Sequence, residues 1–194
     1  MRPVAVAITG GIGAGKTEAL RAFARHGAAT ISSDDIVHRL LREDGDVRAA
    51  LLDRFGDGIL DEAGNVDRVA IGERVFADPD ELAWLENLLH PLVVGEYMDW
   101  RERLAAQPNP PRVTATEVPL LYEVGGHTRF DKVVVITAPP HIRRRRARVT
   151  DAREREARLL PEEEKARRAD FVYVNDGTRA DLDRFVAGVV DTLS

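Results

Sequence analysis

Eight consecutive residues, Gly10-Gly11-Ile12-Gly13-Ala14-Gly15-Lys16-Thr17, fit the pattern G-x-x-x-x-G-K-[ST], whose chemistry is to hold the phosphates of a nucleoside triphosphate. Glycines lack Cβ and accept positive φ, so backbone N–H groups can close around an anion. A helix starting near Gly15 directs its unpaired N–H groups and the positive end of its dipole at the same anion. Lys16 adds a mobile cation for the β- and γ-phosphates, and the Thr17 hydroxyl is a ligand for Mg²⁺. The expected ATP-binding residues are therefore Gly11, Ile12, Gly13, Ala14, Gly15, Lys16, Thr17 and Glu18. Of 28 basic residues only Lys16, Lys132 and Lys165 are lysines, so a lysine at this position is no by-product of composition.

Other residues offer complementary chemistry. Asp34 follows a second apolar run, and a carboxylate at the carboxyl edge of a parallel sheet can take or orient the proton of an acceptor hydroxyl. The same position suits a helix N-cap, and position alone leaves both readings open, with Asp35 as the rival carboxylate. Glu117 and Glu123 flank an apolar run at a strand's carboxyl end, and Glu117 reads as an acceptor contact or as a water-mediated contact to Mg²⁺. Arg143-Arg144-Arg145-Arg146 form a charged helix face from which one or two side chains are expected to turn toward phosphates. His90-Pro91 reads as a helix break with a packed histidine. The charge run Glu162–Arg168 reads as a solvated helix with i,i+4 pairs.

These residues need elements to place them. Val4–Thr9 is a short apolar run of the kind that forms a buried parallel strand, and Gly15–His26 has apolar residues at helical spacing up to Gly27. Ala28–Ile31 is a second strand, and a helix capped by Ser33 or Asp34 follows. This β-α-β-α order predicts an α/β fold. From Asp46 to about Ala106 the pattern is mostly helical, with Ala83–Leu104 a long helix interrupted near His90-Pro91. Trp84, Trp100, Phe76 and Tyr97 are expected in its core, one of them available to stack on an adenine. Val113–Val118, Val133–Thr137 and Phe171–Val174 resume as strands, and Asp181–Leu193 closes the chain as an amphipathic helix.

The phosphate loop fixes a nucleotide but not a reaction. Asn-Lys-x-Asp, the usual guanine-reading element of GTPases, does not occur, and motor ATPases are generally larger. A short core, an acceptor-binding insertion and an Arg-rich lid are instead the layout of small-molecule kinases. The expected architecture is a parallel-sheet P-loop nucleoside triphosphate hydrolase fold of the nucleoside-monophosphate-kinase kind. Its core is 1–45, 107–142 and 169–194, its helical acceptor-binding insertion 46–106, and its lid 143–168. A net charge of −5 argues against a nucleic-acid or anionic-membrane binder, and the lack of cysteine excludes disulfides and thiol catalysis. The N-terminus has no signal-peptide layout, so a cytoplasmic protein is expected, a monomer or weak homo-oligomer.

Across nearly its whole length the chain resembles the bacterial dephospho-coenzyme A kinases. The resemblance rests on Thr9–Thr17 and on Asp34-Asp35-Ile36-Val37-His38. It continues through Val75-Phe76-Ala77-Asp78-Pro79 and Leu88-Leu89-His90-Pro91-Leu92-Val93, then Glu117-Val118-Pro119-Leu120-Leu121-Tyr122-Glu123, and ends on Ala169-Asp170 with Asn175-Asp176-Gly177. It implies ATP-dependent phosphorylation of the ribose 3′-hydroxyl of dephospho-coenzyme A. Lys16 and Thr17 would hold phosphates and Mg²⁺, Asp34 would be the general base, and Arg145 would stabilise the transferring phosphoryl group. Asn175 would lie near the adenine of ATP, while His90 and Glu117 would face the acceptor. Ser32 stands where the family has its first acid, the lid segment Val149–Leu160 is several residues short, and Leu159 replaces a frequent Gln. The rival readings are a kinase for a nucleoside monophosphate, gluconate or shikimate, and a non-catalytic ATP-binding switch.

Overall fold

Side-chain alternation along the apolar runs sorts them onto two faces of one parallel sheet. The computed structural model describes residues 2–146 and 159–193. Among these residues the sheet has five strands: β1 (Val4–Gly10), β2 (Ala29–Ser32), β3 (Val113–Glu117), β4 (Lys132–Thr137) and β5 (Phe171–Val174). Their order is β2-β3-β1-β4-β5, and every neighbouring pair is parallel. Successive residues of a strand point to opposite faces. Val6, Ile8, Val113, Ala115, Val134 and Ile136 accordingly pack on one face. Ala7, Val133 and Val135 pack on the other, with Leu121 and Tyr122.

Helix α1 (Lys16–Arg25) covers the first face with Ala19, Leu20, Ala22 and Phe23. The closing helix (Arg179–Leu193) adds Leu182, Val186, Val189 and Val190 to the same cluster. The carboxyl ends of β1 and β3 are held in register, with Ile8 opposite Glu117 and Glu117 opposite Ser32. That register sets the first residues of the phosphate loop beside the end of β3.

The chain forms two compact units, one of residues up to Ser33 and from Arg101 onward, the other Asp34–Trp100. The second unit is helical, built from α2 (Ser33–Glu43), α3 (Gly45–Phe55), α4 (Arg68–Ala77) and α5 (Pro79–Ala105). Local chemistry starts these helices. The Asp44 carboxylate accepts from the N–H groups of Asp46 and Val47, and the Asp67 carboxylate accepts from that of Val69. Leu51, Val47, Ile59, Ile71, Val75 and Tyr97 are buried there. The ring of Phe55 meets that of Trp84 edge-on at 5.5 Å.

Several expectations from the sequence need correction. Helix α5 runs through His90-Pro91 without a break. Proline removes one helical hydrogen bond and costs about 3 kcal/mol. Leu89, Val93 and Tyr97, spaced by four across Pro91, are all buried, and each is worth about 1.5–3 kcal/mol. Burial of that continuous face outweighs the proline. Phe76 is not in the core but 40% exposed, because the buried face of α4 is set by Ile71 and Val75. Asp34 does not cap its helix, since α2 already begins at Ser33.

Candidate active site

The phosphate loop joins β1 to α1 through three glycines that only glycine can serve. Gly10, Gly13 and Gly15 have φ of 145°, 74° and 106°. Each is also closed against another segment. A Cβ on Gly10 would lie 1.9 Å from the Ile136 carbonyl oxygen, on Gly13 2.6 Å from that of Arg143, and on Gly15 2.3 Å from Asn175 Nδ2. A side chain at any of the three would push the loop off its supports.

Polar groups then hold the loop's shape. Lys16 Nζ donates to the Gly11 carbonyl at 3.0 Å, bending the lysine back over the loop. Asn175 is buried at the end of β5 and its Nδ2 donates to the Ala14 carbonyl at 2.7 Å, while its own N–H donates to the Thr137 carbonyl. Thr17 Oγ1 donates to Glu117 Oε1 at 3.2 Å, and Glu117 is 3% exposed. The Glu117 carbonyl accepts from Ser33 Oγ at 2.8 Å. The structure thus brings Lys16, Thr17, Glu117 and Asn175 into one place.

A second wall comes from later in the chain. Helix α6 (Pro140–Arg146) carries the four arginines, and among them Arg143 turns toward the loop, with Nε donating to the Ala138 carbonyl at 3.1 Å. Helix α7 (Glu162–Arg167) supplies Glu162, whose Oε1 accepts the Gly11 N–H at 3.1 Å and lies 3.6 Å from Arg143 Nε. A cleft of about 500 Å³ opens here, bordered by Gly11, Pro139, Arg143, Leu160, Glu162 and Val174. Its lining sets the Arg143 guanidinium beside the Glu162 carboxylate and offers apolar proline, leucine and valine to a flat ring.

The other candidates are carried on helices. Arg145 is exposed on α6, and Arg146 donates to the Asn175 carbonyl at 3.2 Å. Glu18 pairs with Arg21 and Arg25 on the outer face of α1. Asp34 is exposed in the first turn of α2, two residues beyond the end of β2, and His90 is half-buried on α5; both belong to the helical unit. Of the lid 143–168, residues 147–158 lie outside the described residues.

The sequence profile of the dephospho-CoA kinases matches residues 4–181. The chain belongs to the dephospho-CoA kinase family. A dephospho-CoA kinase of Protochlamydia amoebophila is 38% identical over 183 residues, covering 91% of this chain and 90% of the relative. One from Streptomyces avermitilis is 37% identical over 190 residues, covering 95% and 91%. The crystal structure of TT1252 from Thermus thermophilus superposes with a TM-score of 0.82 at 31% identity, over the full length of both chains. The fold is that of the P-loop kinases.

Within the family frame, the geometry adds residues that motif reading passed over. The run Glu162–Arg168 is not a uniformly solvated face. Arg168 and Glu164 form the expected i,i+4 pair, but Lys165 is fully buried and pairs with Glu123 at 2.7 Å. Glu162, on the same helix, reaches the phosphate loop. The only sequence signal was the rarity of lysine, and it bore on Lys165 alone. Among the described residues no cluster of three or more His, Cys, Asp or Glu side chains could hold a metal ion. Thr17 and Glu117 nevertheless offer two adjacent oxygens beside the loop. Hard oxygen donors few in number suit Mg²⁺, which keeps waters and shares its shell with substrate phosphates.

Proposed function

We propose that this chain transfers the γ-phosphate of ATP to the ribose 3′-hydroxyl of dephospho-coenzyme A, giving coenzyme A and ADP, the last step of coenzyme A biosynthesis. The observation that carries the proposal is the closed phosphate loop with Lys16 and Thr17 at its end, in a chain that belongs to this family. The acceptor oxygen attacks the γ-phosphorus, the bond from that phosphorus to the β-phosphate oxygen breaks, and ADP leaves. Asp34 accepts the hydroxyl proton; its carboxylate is exposed and its place after β2 matches the family's acid. Lys16 and the loop N–H groups hold the charge that spreads over the phosphoryl oxygens. Arg145 meets the same charge on the transferring group. Thr17 and Glu117 would hold Mg²⁺, which when bound neutralises phosphate charge. Asn175 borders the adenine, and His90 within the insertion 46–106 contributes to the acceptor side.

The reading carries with it a cytoplasmic enzyme, monomeric or weakly associated, with no nucleic-acid or membrane partner. Its acidic net charge supports that, and no helix among the described residues is long and apolar enough to cross a membrane. The test is a coupled ADP-release assay offering dephospho-coenzyme A, nucleoside monophosphates, gluconate and shikimate, each with and without Mg²⁺. Release that depends on dephospho-coenzyme A and on Mg²⁺ is expected. Release with only one of the other acceptors would replace the substrate, and no acceptor-dependent release would replace the kinase.

A further inference from the structure

Lysine is rare in this chain, and one of its three copies is completely inside it. Lys165 on α7 has no exposed surface, although lysine is among the residues least often buried unless paired. Its Nζ meets Glu123 Oε1 at 2.7 Å and the Pro119 carbonyl at 3.5 Å. Glu123 Oε1 also accepts the Leu160 N–H at 2.9 Å. The Pro119 carbonyl in turn accepts from Thr9 Oγ1 at 3.2 Å, one residue before the phosphate loop begins. The pair therefore joins three segments: the start of α7, the loop after β3, and the end of β1.

What α7 gains from this anchor is direction. Glu162 and Lys165 are three residues apart and so share one face of the helix. With Lys165 fixed beneath the loop after β3, Glu162 is delivered to the Gly11 N–H and to Arg143, and Leu160 to the wall of the cleft. We propose that Glu123 and Lys165 are positioning residues for nucleotide binding, acting through α7 on the wall of the phosphate loop. This rests on the reading of that loop as the ATP site, and it adds a role for two residues outside the lining of the cleft. Removing one partner leaves the other charge buried and unpaired, which destabilises the protein for reasons unrelated to the site; replacing both leaves no buried charge. That difference separates positioning from mere support.

The experiment compares Glu123→Gln, Lys165→Met and the double variant by thermal melting and by calorimetric titration with MgADP, which needs no acceptor and so is independent of the acceptor's identity. Lys165→Met is expected to lose the most thermal stability and the double variant to regain most of it. MgADP affinity is expected to fall about tenfold in Lys165→Met and to stay low in the double variant. In turnover the loss should fall on the KM for ATP, with kcat changed less than threefold. Affinity that recovers together with melting temperature would make the pair a structural support and overturn the proposal. So would affinity within twofold of the native chain in any folded variant. Failure of all three to fold would make the pair a folding element and overturn the proposal as well.

Discussion

Lys16 and Asp34 are where the proposed chemistry is most exposed to test. Lys16 lies back over the loop with its charge on the Gly11 carbonyl, so its loss removes a cation without altering the glycine supports beneath. Lys16→Ala is expected to lower kcat/KM by about 10²–10⁴-fold in a folded protein, measured in the coupled assay. Near-native turnover would remove the loop from the mechanism. Asp34→Asn separates base from scaffold, since asparagine replaces the carboxylate in shape but takes no proton. The expected result is an unchanged melting temperature, retained ATP binding and a loss of about 10²–10⁴-fold toward dephospho-coenzyme A. A loose phosphoryl-transfer transition state would bring the loss toward the lower figure. Activity within threefold of native would pass the role to Asp35 or Glu117.

Helices and strands show how far local pattern reaches. The phosphate loop could be read because all its parts (strand, glycines, lysine, helix) are neighbours in the chain, and β1 and β4 could be read because burial on both faces leaves continuous apolar runs. Pro91 misled because a local rule was overridden by the packing of Leu89, Val93 and Tyr97. Glu162 and Lys165 could not be placed because their partners lie 151 and 46 residues away, at Gly11 and Pro119, and nothing in a charge run tells which side faces inward. Asp170 is another long-range tie. Its carboxylate accepts from Lys132 Nζ and from the Val133 N–H, both at 2.8 Å, and so sets β5 beside β4. Burial alone would push this carboxyl upward, but the bonds from Lys132 and Val133 together hold it below the usual range. A group depressed in the folded chain stabilises above its unfolded value of about 3.9 and loses that contribution as pH falls through the folded value. Asp170→Asn should thus cost about 1 kcal/mol at pH 7, discounted for a half-exposed pair, and flatten the decline of melting temperature below pH 4. An acid limb identical to the native one would show that Asp170 does not contribute to it.

At the scale of the whole molecule, the site is assembled from both halves of the chain. Gly11, Glu117, Arg143, Glu162 and Asn175 are drawn to one sheet edge from five separate segments, all within the unit that holds the sheet. A ligand bound there stabilises every segment it touches, because only the folded chain offers the site. MgADP at a hundred times its dissociation constant should add about 2.7 kcal/mol. For a chain of this size that is a rise of roughly 5–10 °C in melting temperature. A rise of less than 1 °C at saturation, established by titration, would mean that the unfolded chain binds the nucleotide as well.

The scarcity of lysine also gives the protein an unusual reactivity toward reagents that acylate amines. Of the three ε-amines, Lys165 is sealed inside and Lys132 stands on the surface in its pair with Asp170, leaving Lys16 as the one set in the phosphate loop. Mild acylation followed by peptide mass mapping should therefore mark Lys132 and Lys16 and spare Lys165. MgADP should shield Lys16 alone, so that a single mass difference reports occupancy of the site without any turnover. Equal labelling of Lys16 with and without the nucleotide would contradict its contact with phosphate. Early labelling of Lys165 would contradict its burial.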